Sequence, residues 1–81
     1  MNSFRVLLFA RYAELLGNAQ VEVVLPEGAT GAALFHALRQ LPGGALLPAS
    51  PFLVMNHAQV GPDQRLDPSA EFALLPPMAG G

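Results

Sequence analysis

Between its chain breakers this sequence leaves room for one substantial helix and otherwise only for short extended pieces. Eight glycines and eight prolines punctuate 81 residues. Only Gly31 to Leu41 carries helical periodicity over several turns. Leu34, Leu38 and Leu41 recur at the spacing of one stripe, widened by Phe35 and Ala37, while Arg39 and Gln40 fall on the water side. Thr30 is placed to cap the start, and Pro42-Gly43-Gly44 stops the helix. Ala45 to Pro51 reads as a connector.

The remaining apolar stretches read as strands. Phe4 to Ala10 puts Phe4, Val6, Leu8 and Ala10 on one face and Arg5, Leu7, Phe9 and Arg11 on the other. Arg11 to Leu16 followed by Gly17 is a short helical turn with glycine at its end, where a left-handed residue is needed. Gln20 to Leu25 alternates with Val21, Val23 and Leu25 on one side, and Pro26-Glu27-Gly28 ends it. Phe52 to Asn56 is a third strand. His57-Ala58 reads as a turn, and Gln59-Val60 as a brief return. Leu66 sits between two turn-forming clusters as a plug for the core edge, and Glu71 to Leu75 is the last strand.

One helix among antiparallel hairpins implies an α+β domain of four to five strands with the helix across one face. The first two strands are close enough in sequence to pair antiparallel. The last strand belongs at the centre, because a parallel neighbour needs a long crossover such as the helix provides. The expected core is Phe4, Val6, Leu8, Val23, Leu34, Leu38, Leu41, Val54 and Leu66, with one face of Phe72 to Leu75. Residues 1–76 form one domain and 77–81 an exposed tail.

A chain this short has a radius of gyration of about 12 Å, which leaves no space for a deep enclosed active site. It is 52% hydrophobic and 12% charged, with a formal net charge of −2. The four basic residues, Arg5, Arg11, Arg39 and Arg65, are scattered and form no basic run, so nucleic acid is not an expected partner. A composition this apolar, with so few charges, suggests that some apolar surface is covered by a partner. There is no cysteine, which excludes disulfides and a thiol nucleophile. Lysine is also absent, so no isopeptide bond can form to a lysine of another copy. No apolar run is long enough to span a membrane. Met1 to Arg5 lacks the basic-then-apolar layout of a signal peptide, and a cytoplasmic location is expected.

Side-chain chemistry is scarce. His36 lies on the helix and His57 at a turn, too far apart in sequence to suggest a metal pair. The six carboxylates show no spacing that points to an acid-base couple, and the three serines lie in no recognised nucleophile motif. The glycine-containing runs lack the lysine of a phosphate loop. What remains is the end, Pro76-Pro77-Met78-Ala79-Gly80-Gly81. Extended, the tail from Pro77 reaches about 17 Å. Two glycines without side chains suit it to a narrow channel in a partner, and two stiff prolines reduce the entropy lost on ordering its base.

Several segments together carry a resemblance. Val6-Leu7-Leu8-Phe9-Ala10-Arg11 followed by Glu14-Leu15-Leu16-Gly17, then Pro26-Glu27-Gly28-Ala29-Thr30, Val54-Met55-Asn56, and the ending Glu71 to Gly81 are similar to the small-subunit family of molybdopterin synthase. That family comprises ubiquitin-like sulfur carriers of molybdenum cofactor biosynthesis. Leu74-Leu75 stands where aromatic residues are common in the family, and Asp67-Pro68-Ser69-Ala70-Glu71 replaces its usual acidic, glycine-bearing turn.

The resemblance implies a β-grasp fold and a carrier without side-chain catalysis of its own, acting as the small subunit of a sulfurtransferase. It implies that an E1-like adenylyltransferase uses ATP and Mg²⁺ to adenylate Gly81. A sulfur donor, such as a cysteine desulfurase or rhodanese, then leaves a thiocarboxylate there. Gly80 permits threading into the synthase large subunit, in an expected heterotetramer, where sulfur passes to cyclic pyranopterin monophosphate. Leu7, Phe9, Leu74, Leu75, Pro76, Pro77, Met78 and Ala79 are the expected partner contacts, and no cofactor is held stably. A carrier for thiamine thiazole synthesis is the nearest alternative, and an interaction module with inert glycines is an alternative of another class.

Overall fold

The computed structural model describes residues 1–48 and 52–75. The chain runs β1 (Asn2–Leu8), α1 (Arg11–Leu16), β2 (Gln20–Leu25), α2 (Gly31–Arg39), a 3₁₀ turn (Gly44–Leu46), β3 (Phe52–Met55), β4 (Ala58–Gln59) and β5 (Phe72–Leu75). The five strands form one sheet in the order β2-β1-β5-β3-β4. β1 and β5 are parallel, and the other pairs are antiparallel. This is the mixed sheet of a β-grasp fold, with β5 at its centre as expected.

The helix covers one face. Phe4, Val6 and Leu8 of β1, Leu53 of β3, and Phe72 and Leu74 of β5 point inward and meet Leu34, Phe35 and Leu38 of α2 in a single buried cluster. The Phe4 and Phe72 rings meet edge to face, with centroids 5.7 Å apart. Each fully buried Leu or Phe side chain stabilises the fold by about 1.5–3 kcal/mol. Leu66 is buried as the expected plug. Leu47 of the connector is a core residue too, held beside the 3₁₀ turn.

Several boundaries differ from the sequence reading. β1 ends at Leu8, because Ala10 adopts φ 51° and ψ −127° and turns the chain into α1. Gly17 closes α1 in the left-handed region, at φ 71°, and its N–H donates to the Ala13 carbonyl. α2 ends at Arg39 rather than Leu41. The N–H groups of Gln40 and Leu41 donate to carbonyls three residues back, which tightens the last turn before Pro42.

Gly43 sits at φ 85° with its α-carbon against the Leu15 carbonyl, so any side chain there would collide with α1. Thr30 precedes α2 but makes no side-chain cap. The first N–H groups of the helix, on Gly31 and Ala32, instead donate to the Gln64 and Pro62 carbonyls at 3.0 and 2.9 Å. The loop before β5 thus does the capping.

Two assignments to the core are corrected. Val54 is half-buried, and its neighbour Leu53 is the fully buried residue of β3. Leu41 only packs against the core margin, because the helix has ended before it. The hairpin turn is Asn56-His57 rather than His57-Ala58. Both residues have positive φ, 50° and 73°, and Met55 pairs with Ala58, which makes a two-residue turn of the primed kind. Glu71 precedes β5, and there its N–H donates to Asn56 Oδ1 while its carbonyl accepts from the Asn56 N–H.

Candidate functional site

The uncovered face of the sheet is the candidate. In β1, β5 and β3, alternate residues point away from α2, and their cross-strand partners identify them. Leu7 stands opposite Ala73, Ala73 opposite Val54, and Leu75 opposite Phe52. Residues opposite one another share a face, so these five form one apolar patch over the three central strands. Leu7, Val54, Ala73 and Leu75 are half-buried, and Phe52 is 40% exposed. Phe9, two residues beyond Leu7, is 45% exposed. No helix lies over this side among the described residues.

Toward β2 the same face turns polar. Arg5 stands opposite Glu22, and Leu7 also stands opposite Gln20. An open groove of about 370 Å³ runs here, lined by Arg5, Leu7, Gln20, Glu22, Ser69 and Glu71. The loop beside it is ordered by Asp67, whose Oδ1 accepts from Ser69 Oγ at 2.7 Å and from the Ser69 N–H at 2.9 Å. The Ser69 hydroxyl, and then the Ser69 amide, hold the Asp67 carboxyl below the ordinary aspartate range.

The expected contact residues therefore separate. Leu7 and Leu75 lie on the open side, and Phe9 is exposed just beyond the end of β1. Leu74 is 0% exposed, opposite Leu8 and Leu53 beneath the helix, so it is a core residue and not a surface contact. Pro76, Pro77, Met78, Ala79, Gly80 and Gly81 lie outside the described residues. The last described residue, Leu75, ends the central strand and belongs to the apolar patch.

The sequence does not mark Phe52, Val54 and Ala73 as members of the patch. The FLVM and FALL strands are apolar on both faces, so their alternation carries no sign of which side is inward. The cross-strand register supplies it.

Side chains suited to catalysis are not gathered anywhere in the described residues. His36 is exposed on α2, beside a second open groove with Phe35, Arg39 and Gln40. His57 is exposed in the hairpin turn. No group of three His, Cys, Asp or Glu side chains among the described residues is placed to hold a metal. No helix among them is long and apolar enough to cross a membrane.

Comparison with known proteins brings in the residues that the geometry leaves out. A family model described as the ThiS family matches residues 6–81, through the final glycine. The crystal structure of SAMP1 from Haloferax volcanii is similar at 25% identity, with a TM-score of 0.80, covering 98% of this chain and 99% of that one. A candidate molybdopterin converting factor subunit 1 from Pyrococcus furiosus shares the fold at 22% identity, with a TM-score of 0.83, over 96% of this chain and 100% of that one. No curated protein matches the sequence.

Proposed function

This chain belongs to the ThiS family of β-grasp sulfur-carrier proteins, and on that premise we propose that it is the sulfur carrier of molybdopterin biosynthesis. The observation that carries the carrier reading is the extent of the family match, which runs through Gly80-Gly81. Support for the molybdopterin branch comes from the α1 segment closed by Gly17 and from Pro76-Pro77 ahead of the tail.

In this reading the Gly81 carboxylate attacks the α-phosphate of ATP on an E1-like enzyme, and pyrophosphate leaves. A sulfur donor attacks the resulting acyl adenylate, and AMP departs. Where the donor is a cysteine persulfide, this gives an acyl disulfide. A second thiol then attacks the donor cysteine's sulfur, forms a disulfide with it, and leaves the other sulfur on the glycyl carbon as a thiocarboxylate. Gly80 and Gly81 thread into the synthase large subunit, where the thiocarboxylate delivers sulfur to cyclic pyranopterin monophosphate. The acid-base groups and the phosphate-binding groups belong to the partners. Leu7, Phe9, Phe52, Val54, Ala73 and Leu75 form the surface that docks on the activating enzyme or the synthase, which positions the tail. An apolar patch of this kind at the base of a reactive tail suits such a role.

The test is to offer the thiocarboxylated chain to the large subunit of molybdopterin synthase with its pterin substrate and, separately, to a thiazole synthase with its own substrates. Dithiolene formation with the first, and loss of the thiocarboxylate in step with it, is the expected result. Turnover by the thiazole synthase alone would move this chain to the thiamine branch. A second reading, as a protein modifier, has the 25% identity to SAMP1 in its favour. It predicts a covalent adduct between Gly81 and lysines of other proteins, detectable after trypsin as lysines carrying the segment that follows Arg65, the last basic residue of this chain.

A further inference from the structure

β2 is one edge of the sheet, and it lacks the devices that usually protect an edge. It pairs with β1 without a bulge, in continuous register from Asn2 opposite Leu25 to Leu7 opposite Gln20. The strand QVEVVL has no proline and no lysine, and Glu22 is its one charge. Val24 points away from the helix and is 59% exposed. By contrast, the opposite edge, β4, is only two residues long.

The directions of the free backbone groups follow from one hydrogen bond. The Leu8 N–H donates to the Ala19 carbonyl at 2.8 Å, which extends the β1–β2 register by one step. Hydrogen-bonded pairs alternate in an antiparallel ladder, so Val21, Val23 and Leu25 face β1. The N–H and C=O groups of Gln20, Glu22 and Val24 therefore point outward, and none of them has a hydrogen-bond partner among the described residues.

A second copy of the same strand complements this edge. A twofold axis perpendicular to the sheet keeps each helix-covered face on the same side only if the axis passes through a residue. Centred on Glu22, two carboxylates would oppose each other in a hydrogen-bonded pair with α-carbons about 5.5 Å apart. Centred on Val24, Glu22 would meet Pro26, which has no N–H to give. Centred on Val21, Val24 would fall opposite Asn18, which lies in the turn before β2 and whose N–H is already bonded to Ala13. Centred on Val23, Val23 faces Val23, and Glu22 faces Val24 twice. The four central bonds then come from Glu22 and Val24, while Gln20 at each end falls opposite Pro26, which accepts but cannot donate. No like charges meet, and the exposed Val24 is covered by the stem of Glu22, whereas the Val21 register leaves Val24 against a turn.

We propose that two copies of this chain associate edge to edge through antiparallel β2 strands in the register centred on Val23. Ten strands then form one continuous sheet. β5 lies two strands in from this edge, so the pairing leaves the apolar patch and the start of the tail uncovered. The contact is small and the association weak.

The test joins sedimentation with amide exchange on the full chain from about 10 µM to about 1 mM, a range that covers weak self-association. The expected result is a dimer at the upper end, with the Glu22 and Val24 amides slowing as concentration rises while Val21 and Val23 stay as they were. Val24→Glu places two glutamates opposite Glu22 and should weaken the dimer about tenfold, whereas Val24→Lys should hold or tighten it. Both substitutions are at an exposed site, and an unchanged unfolding midpoint verifies the fold. A monomer throughout the range overturns the proposal. So does a dimer indifferent to both substitutions, or concentration-dependent protection at Gln20 and Glu22 without Val24.

Discussion

On one side of β1, β5 and β3 stand Phe4, Val6, Leu8, Leu53, Phe72 and Leu74, and on the other Leu7, Phe52, Val54, Ala73 and Leu75. Over these apolar positions the two sets differ little, although Ser3 and Arg5 of β1 also stand on the second side. α2 covers the first and leaves the second open, so the first is the core and the second is a half-buried patch with Phe52 and Phe9 at its exposed margin. Apolar character alone therefore says little about what a residue in these strands does. The parity of its position says more, because a shift of one residue exchanges the core for the surface. Core residues and residues of the open patch thus alternate as neighbours in the same strand.

The largest expected effect tests that division within one pair of neighbours. Leu74→Ala should cost about 3 kcal/mol of stability, as for other fully buried leucines, while Leu75→Ala should cost about 1 kcal/mol or less. Denaturant unfolding of the two variants measures the difference, and equal losses would break it.

The open face is tested by Phe52→Asp. Binding to the activating enzyme or to the synthase large subunit should weaken about tenfold with the unfolding midpoint little changed. Unaltered binding to both partners would remove this face from the docking surface.

The smallest effect lies in the loop that feeds β5. Asp67 has a lowered pKa in the folded chain, so its contribution to stability is present above the ordinary aspartate pKa and is lost as pH falls through the lowered folded value. Ser69→Ala removes the larger cause and leaves the amide bond. The Asp67 carboxyl titration, followed by NMR, should move upward, and the loss of stability in acid should become smaller and be complete at a higher pH. An unmoved titration would mean that the Ser69 hydroxyl does not hold the carboxylate.

Much of the fold is legible in the sequence where the pattern is one-sided. β2 alternates, α1 ends on a glycine, and both have the limits the residues suggest. Central placement of β5 follows from the need for a crossover. Where strands are apolar on both faces the reading fails, and Leu53 and Val54 exchange places for that reason. Thr30 illustrates a different failure, since a tertiary contact from the loop at Pro62 and Gln64 takes over a capping role that local sequence assigns to a side chain. At the candidate site, Leu7, Phe9 and Leu75 were readable from the sequence, whereas Phe52, Val54 and Ala73 needed the register. The diglycine is legible only as sequence, because residues 76–81 lie outside the described structure.

The most direct measurement is the intact mass of the chain after incubation with an E1-like activating enzyme, Mg-ATP and a sulfur donor. A gain equal to one sulfur minus one oxygen, located at Gly81 by fragmentation, is the expected result. An unchanged mass, with the same enzyme active on an established carrier, would contradict the carrier function and leave a binding module with inert glycines.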